Sequence, residues 1–224
     1  MDFKQFFSMI KGKKIAMLGL GVSHTQLIFD FLKQGAKVYA CDRRERDQIG
    51  PLADKLEAAG AKLRLGSGYL DNLEVDVIFR TPGMNYHLPE LEAARKRGIA
   101  VTSEMEVFFD LCPATIFGVT GSDGKTTTTT LIAKMLEAEG KKVFIGGNIG
   151  TPLLPEIEKI TADDFVVVEL SSFQLISMRK SPDVAVITNV APNHLDVHKD
   201  MDEYVEAKKN IILHQMKIII QQLQ

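Results

Sequence analysis

The run Gly118-Val119-Thr120-Gly121-Ser122-Asp123-Gly124-Lys125-Thr126-Thr127 collects the residue types that suit a phosphate group. A phosphate needs close backbone approach, several N–H donors and compensating positive charge. Glycines allow the approach and the unusual dihedrals it requires. A helix opening at Lys125 adds free N–H groups and the positive end of its dipole. Lys125 supplies a full charge, and Thr126 places a hydroxyl where a divalent cation can use it. A strict G-x-x-x-x-G-K-[ST] pattern would need glycine at position 119, where Val119 stands; Gly118 and Gly121 provide glycines at other spacings. A glycine-rich turn beginning an ordinary helix is the plain alternative. The strand before, the helix after and Gly-Lys-Thr in register favour a phosphate cradle made of Gly121, Ser122, Asp123, Gly124, Lys125, Thr126 and Thr127. The threonines at 126–130 are mediocre helix formers, so one or two of their hydroxyls are expected to face a ligand.

Two strand ends carry further candidates. Val168-Glu169-Leu170-Ser171-Ser172 places a carboxylate where an apolar run stops. In open α/β sheets ligands gather beyond the carboxyl ends of strands, which makes Glu169 a candidate ligand for a hard cation. A capping or ion-paired glutamate is the alternative. The next apolar run ends in Thr188-Asn189-Val190-Ala191-Pro192-Asn193-His194-Leu195-Asp196, putting His194 and Asp196 beyond the same edge. His198, in the polar stretch before Asp200 and Asp202, reads as solvated. Nearer the N-terminus, Gly19-Leu20-Gly21-Val22-Ser23-His24 follows a strand and Asp42 ends the next one. That is part of a dinucleotide fingerprint, weak by itself because His24 occupies the third glycine position.

Positioning these residues takes two α/β units in tandem. In the first, strands are expected at 14–18, 37–41, 76–79 and 99–101, separated by helices through Leu27, Ile28, Phe31 and Leu32, near 52–59 and over 88–96. In the second, a strand at 115–119 leads into a helix over 125–139, and strands follow at 142–145, 165–170 and 183–188. The runs at 165–168 and 184–187 are apolar without alternation, the pattern of strands buried on both faces. The expected fold class is α/β: a Rossmann-like N-terminal domain over 1–111, then a P-loop-type parallel-sheet domain over 112–212, itself incomplete, and an atypical tail over 213–224. From Ile211 onward the chain is rich in isoleucine, leucine and glutamine, with no evident partner element.

Composition narrows the classes of function. The chain has 224 residues, 45% hydrophobic and 25% charged, with net charge -2, which is ordinary globular material. No basic run is long enough to follow a nucleic-acid backbone, and the cluster 42–46 interleaves acids with bases and reads as a solvated loop. Cys41 and Cys112 lack metal-type spacing and are expected to be reduced thiols. The N-terminus lacks the apolar core of a signal peptide, and no apolar stretch approaches the ~20 residues of a membrane span. A soluble, cytoplasmic monomer with no nucleic-acid or membrane partner is expected.

Together the motifs resemble the Mur ligases of bacterial cell-wall synthesis, and within them the branch that adds D-glutamate. The resemblance runs from about Lys13 to Ile212. It rests on Gly121 to Thr127, Gly147-Asn148-Ile149-Gly150, Glu169-Leu170-Ser171-Ser172-Phe173-Gln174-Leu175, Thr188-Asn189 with His194-Leu195-Asp196, and Ala207-Lys208. It implies ATP and Mg2+ as cofactors, with UDP-N-acetylmuramoyl-L-alanine and D-glutamate as substrates. ATP would phosphorylate the alanine carboxylate to an acyl phosphate, which the amine of D-glutamate would attack, expelling phosphate. Lys125, Lys208 and His194 would be catalytic; Thr126, Glu169, His194 and Lys208 would serve the metal. The substrate would meet Gly19, Leu20, Gly21, Val22, Asp42 and Arg43 in the first domain, and Asn148 and Ser171 in the second. Lys208 aligns with a lysine that the family carries as a carbamate. An ammonium ~4 Å from a unit of metal charge is repelled by ~4 kcal/mol at an effective dielectric of 20, and carbamylation turns that repulsion into attraction. The bland reading of Lys208 is a surface lysine beside Lys209. Asp123 stands where the family more often has asparagine and should weaken ATP binding unless turned away. The family's third domain, which closes over ATP, has no counterpart here, so a truncated or frame-shifted product, inactive alone, is expected. The alternatives are a nucleotide-binding module without catalysis and an NAD-dependent oxidoreductase.

Overall fold

The computed structural model describes residues 3–192 and 198–215. The chain divides into two compact units, Met1–Val107 and Phe108–Gln224. The first contains α1 (Phe3–Ile10), β1 (Lys14–Leu18), α2 (Val22–Lys33), β2 (Lys37–Asp42), α3 (Arg46–Ile49), α4 (Pro51–Ala58), β3 (Lys62–Leu65), β4 (Val77–Arg80), α5 (Pro89–Lys96) and β5 (Ala100–Thr102). The boundary between the units falls within α6 (Glu104–Leu111). The five strands form one parallel sheet in the order β3-β2-β1-β4-β5. The chain works outward from β1 to β3 and then returns to the other side of β1. The switch between β1 and β4 therefore opens a crevice at the carboxyl ends of these strands, where such sheets bind ligands.

The physical reason for this sheet is the central strand. Ile15, Ala16, Met17 and Leu18 are all fully buried, as a strand with neighbours on both sides and cover on both faces must be. Leu27, Ile28 and Phe31 give α2 a buried stripe that packs on β1 and β2. Phe6, Phe7, Phe31 and Phe79 form an aromatic cluster through which α1 joins the core. Neither α1 nor β3 is apparent in the sequence. The run Lys62-Leu63-Arg64-Leu65 alternates charge with leucine, and pairing with β2 decides its conformation.

The second unit contains β6 (Thr115–Thr120), α7 (Lys125–Ala138), β7 (Val143–Gly147), a 3-10 turn at Leu154–Lys159, β8 (Phe165–Glu169), α8 (Ser172–Leu175), β9 (Val184–Ile187) and α9 (Met201–Leu213). Its strands are parallel in the order β7-β8-β6-β9. In β8, Val166, Val167 and Val168 are fully buried, as their unbroken apolar run predicts. The same reasoning fails for β9. Among the described residues it pairs only with β6, and Val184 and Ile187 are each 40% exposed, so an apolar run marks a strand but not its place in the sheet. Helix α9 reaches Leu213, the first residue of the expected tail. Asp200 caps α9 by accepting a hydrogen bond from the Glu203 N–H at 2.8 Å, and Tyr204, Ala207, Lys208 and Ile211 form its buried stripe. That period-of-four pattern is diluted by Glu206 and Lys209, and one of its members is a lysine. Residues 216–224 lie outside the described part. No helix among the described residues is long and apolar enough to cross a membrane.

His24, in the third glycine position of the first turn, is a core residue. It is 1% exposed, and its Nδ1 lies 3.0 Å from the Gly19 carbonyl oxygen, where a protonated Nδ1 donates. Burial pushes its pKa down from 6.5 to about 4, against the opposing pull of the Gly19 and Leu18 carbonyls. The unfolded chain thus takes up this proton near pH 6.5 and the folded chain only near pH 4. The stability contribution is complete above pH 6.5 and is lost as pH falls through that window, roughly 3 kcal/mol in all. Thermal unfolding between pH 7 and 4 should show this fall, and His24→Asn, which cannot be protonated, should flatten it. An unchanged pH slope in the variant would exclude His24 as the cause.

Candidate functional site

The loop between β6 and α7 is held from one side by the end of β9. Gly121 has φ +150, and a Cβ there would overlap the Thr188 hydroxyl, so only glycine lets the two segments meet. The Asn189 side-chain oxygen accepts the N–H groups of Ser122 and Asp123 at 3.0 and 2.9 Å. Thr188 Oγ1 donates to the Asp123 carbonyl at 2.6 Å. The Ser122 hydroxyl donates to the Ala191 carbonyl and accepts from the Ala191 N–H, both at 2.8 Å, and lies 2.9 Å from the Tyr204 hydroxyl. Lys125 folds back so that Nζ donates to the Ser122 carbonyl at 2.9 Å. The threonine run separates by role. Thr126 Oγ1 donates to Glu169, Thr127 is exposed, and Thr130 back-bonds to the Thr126 carbonyl at 2.8 Å.

Glu169 joins three segments at the carboxyl edge of the sheet. It is 1% exposed, yet Oε2 accepts from Thr126 Oγ1 at 2.7 Å and Oε1 from Asn148 Nδ2 at 2.8 Å. Asn148 also donates its backbone N–H to the Glu169 carbonyl at 2.8 Å. The close approach depends on Gly147, with φ +96, where a Cβ would overlap that same carbonyl. Ser171 begins α8 in a capping box: its hydroxyl accepts from the Gln174 N–H at 3.3 Å, and its own N–H donates to Gln174 Oε1 at 2.9 Å.

Lys208 is no surface lysine. It is 3% exposed, and Nζ donates to the Gly121 carbonyl at 2.9 Å and to Thr120 Oγ1 at 3.2 Å, with the Tyr204 ring 4.7 Å away. Burial, with the charge of Lys125 adding to it, pushes its pKa down to about 8. His198, expected to be solvated, is buried. Its Nε2 lies 2.8 Å from the Ser172 hydroxyl and its Nδ1 3.1 Å from Glu203, while its ring stacks on Phe173 and meets Tyr204 edge-on. The polar residues around it in sequence conceal a site assembled from α8 and α9. His194 and Asp196 lie outside the described residues.

In the first unit, Asp42 locks the glycine turn. Its carboxylate accepts the Leu20 N–H at 2.8 Å, the Arg44 N–H at 2.9 Å and two bonds from the Arg44 guanidinium. Burial alone would raise its pKa, but the Arg44 side chain and the Leu20 and Arg44 amides outweigh it and hold the group at about 2. The stretch 42–46 is therefore structured and not simply a solvated loop; further along it, Arg46 pairs with Asp54 and Glu57. A Cβ added at Gly21 would meet nothing within 4 Å, Val22 is 83% exposed and Arg43 is exposed, so this rim of the crevice is open.

The donors gathered at Glu169 fit a hard cation. The Thr126 hydroxyl and the Glu169 carboxylate are oxygen ligands of the kind that Mg2+ takes, and Mg2+ commonly uses only one or two carboxylates and completes its shell with phosphate oxygens and water. No cluster of three or more His, Cys, Asp or Glu able to hold a metal occurs among the described residues, so any cation here would depend on such supplementary ligands.

The packing at Gly147 yields a direct test. Gly147→Ala places a methyl against the Glu169 carbonyl at a positive φ, so unfolding should become easier by at least about 2 kcal/mol, compared with a few tenths for an exposed site. Chemical denaturation of the two proteins measures the difference, and equal midpoints would show that this contact relaxes freely.

Known proteins resemble this chain over both of its units. The Mur ligase middle domain matches residues 119–222, and the MurD-like N-terminal domain of Mur ligases matches residues 13–103. The chain is 58% identical over 215 residues to the UDP-N-acetylmuramoylalanine–D-glutamate ligase of Acetivibrio thermocellus and 56% identical to that of Clostridium kluyveri. Each alignment covers 96% of this chain but 46% of the relative, so the chain spans about half the length of these ligases. The crystal structure of UDP-N-acetylmuramate:L-alanyl-gamma-D-glutamyl-meso-diaminopimelate ligase from Neisseria meningitides aligns with a TM-score of 0.53 over 89% of this chain and 67% of that one. At 22% identity it speaks for the fold alone. The chain belongs to the Mur ligase family and carries its N-terminal and middle domains.

Proposed function

We propose that this chain supplies the ATP-handling and UDP-substrate-handling parts of a ligase that joins D-glutamate to UDP-N-acetylmuramoyl-L-alanine in peptidoglycan precursor synthesis. The observation that carries this reading is the meeting of Thr126, Glu169 and Asn148 at the carboxyl edge of one parallel sheet, with Lys125 next to Thr126 at the start of α7. The free N–H groups of the first turn of α7 and the Lys125 ammonium would hold the ATP phosphates. Thr126 and Glu169 would hold Mg2+, with His194 as a further ligand, and the bound metal would offset negative charge on the transferred phosphoryl group. Asn148, fixed by Glu169, would present its remaining polar groups to the muramoyl substrate, and Ser171 would line the same edge. In the first domain the turn Gly19-Leu20-Gly21-Val22 with Arg43, open at Gly21, Val22 and Arg43 and braced by Asp42 at the buried Leu20, would take the UDP moiety. The protein would act in the cytoplasm as a monomer.

Chemistry at such a site is chiefly positioning and charge compensation. The substrate carboxylate attacks the terminal phosphoryl group of ATP, ADP departs, and the D-glutamate amine then displaces phosphate from the acyl phosphate. Lys208 would act as its carbamate. Its lowered pKa favours this, because a shift from 10.5 to about 8 raises the share of free amine, the form that reacts with CO2, by a few hundred-fold at neutral pH.

Two measurements test the assignment on the 224-residue chain. Lys125→Ala should lose at least ten-fold in ATP affinity by calorimetry in the presence of magnesium, while its melting temperature changes little, since the side chain makes one hydrogen bond to the loop, worth about 1 kcal/mol. Wild-type affinity in the variant would move the phosphate site elsewhere. Glu169→Gln should raise the magnesium concentration needed for half-maximal ATP binding by about ten-fold or more. An unshifted magnesium requirement would remove Glu169 from the metal site.

A further inference from the structure

Asp123 poses an electrostatic problem that the phosphate-loop reading does not itself resolve. A carboxylate inside a loop that wraps phosphates repels them, and at an effective dielectric near 20 such repulsion is strong enough to cancel much of what a lysine contributes. The local structure around residue 123 has an unusual feature. Both polar backbone groups of this one residue are held by adjacent residues at the end of β9. The Asp123 N–H donates to Asn189 Oδ1 at 2.9 Å, and the Asp123 carbonyl accepts from Thr188 Oγ1 at 2.6 Å. The neighbouring Ser122 N–H is held twice, by Asn189 Oδ1 and by the Asn189 carbonyl, each at 3.0 Å. Asp123 therefore depends on the Asn189 side chain, whereas Ser122 retains a partner without it. With its peptide groups pinned on both sides, residue 123 is exposed, although Gly121 and Ser122 beside it are buried.

We propose that Thr188 and Asn189 are positioning residues that clamp the Asp123 backbone so that its carboxylate stays in solvent, away from the phosphate cradle. The clamp also selects the donors. The Ser122 and Asp123 amides are occupied by Asn189, so the phosphates are left the amides of the first turn of α7 together with Lys125. The sheet edge thus makes an acidic residue tolerable within a phosphate loop. The inference rests on the ATP-binding reading for its consequence, but the clamp itself can be tested without ligand.

A double-mutant cycle read by ATP affinity in magnesium is the test, with amide hydrogen exchange as a second readout. Asn189→Ala should weaken ATP binding by about ten-fold or more and speed exchange of the Asp123 amide. Asp123→Asn should raise affinity several-fold more in the Asn189→Ala background, where it restores most of what was lost, than in the wild-type background, where the carboxylate is held away. Asn189→Asp, which keeps an acceptor oxygen, should restore slow exchange at Asp123. Equal effects of Asp123→Asn in both backgrounds, or unchanged Asp123 exchange in Asn189→Ala, would overturn the proposal. If the wild type binds no ATP, the functional reading fails, and exchange at Asp123 alone still decides whether the clamp exists.

Discussion

Glu169 sits at the end of a strand with almost none of its surface in water, and a carboxylate in that position is tolerable only if its oxygens find donors. It finds one on each side. Thr126 comes from the first turn of α7 and Asn148 from the loop after β7, so satisfying one acidic group fixes the relative placement of three segments. The rest of the second unit is arranged around this requirement. Gly147 permits the approach of the Asn148 loop, and the capping box at Ser171 turns the chain away immediately after β8. A bound cation would draw on the same oxygens.

The loop itself has little structure of its own. Three glycines in the ten residues 118–127 give it freedom, and its shape is imposed from outside by Thr188, Asn189, Ala191 and Tyr204 on one side and Lys208 beneath. Lys208 contributes an amine to the Gly121 carbonyl, and its neighbour one turn earlier, Tyr204, contributes a hydroxyl to Ser122. A residue of α9 thus supports a loop more than eighty positions earlier. His198 and Glu203 tie the start of α9 to Ser172, which links the helix carrying Lys208 to the strand end carrying Glu169. The first unit uses a similar device with opposite partners. There the Asp42 carboxylate braces the glycine turn through the Leu20 amide and holds Arg44 beside it.

Much of this architecture is legible in the residues alone. The apolar strand runs, the glycine turns and Gly-Lys-Thr between a strand and a helix depend on neighbours in sequence, and local sterics and periodicity decide them. Strand ends carrying Glu169 and Asp42 can be read in the same way, because the carboxyl edge of a parallel sheet is where such groups collect. The helix bearing Lys208 is harder to read, since charges interrupt its buried stripe and one member of that stripe is itself charged.

Partners distant in sequence are fixed only once the chain is folded. Burial of His198 and Lys208, the exposure of β9 at a sheet edge and the clamp on Asp123 each depend on which segment lies opposite. A polar side chain carries no local mark that distinguishes a solvated group from one whose donors and acceptors are matched in the interior; His198 amid aspartates and lysines looks the same in either case. The types of group available for chemistry were therefore written in the order of the residues. Their contacts arose when parallel pairing brought the ends of β6, β8 and β9 to one edge, because strands that run in the same direction all finish on the same side of the sheet.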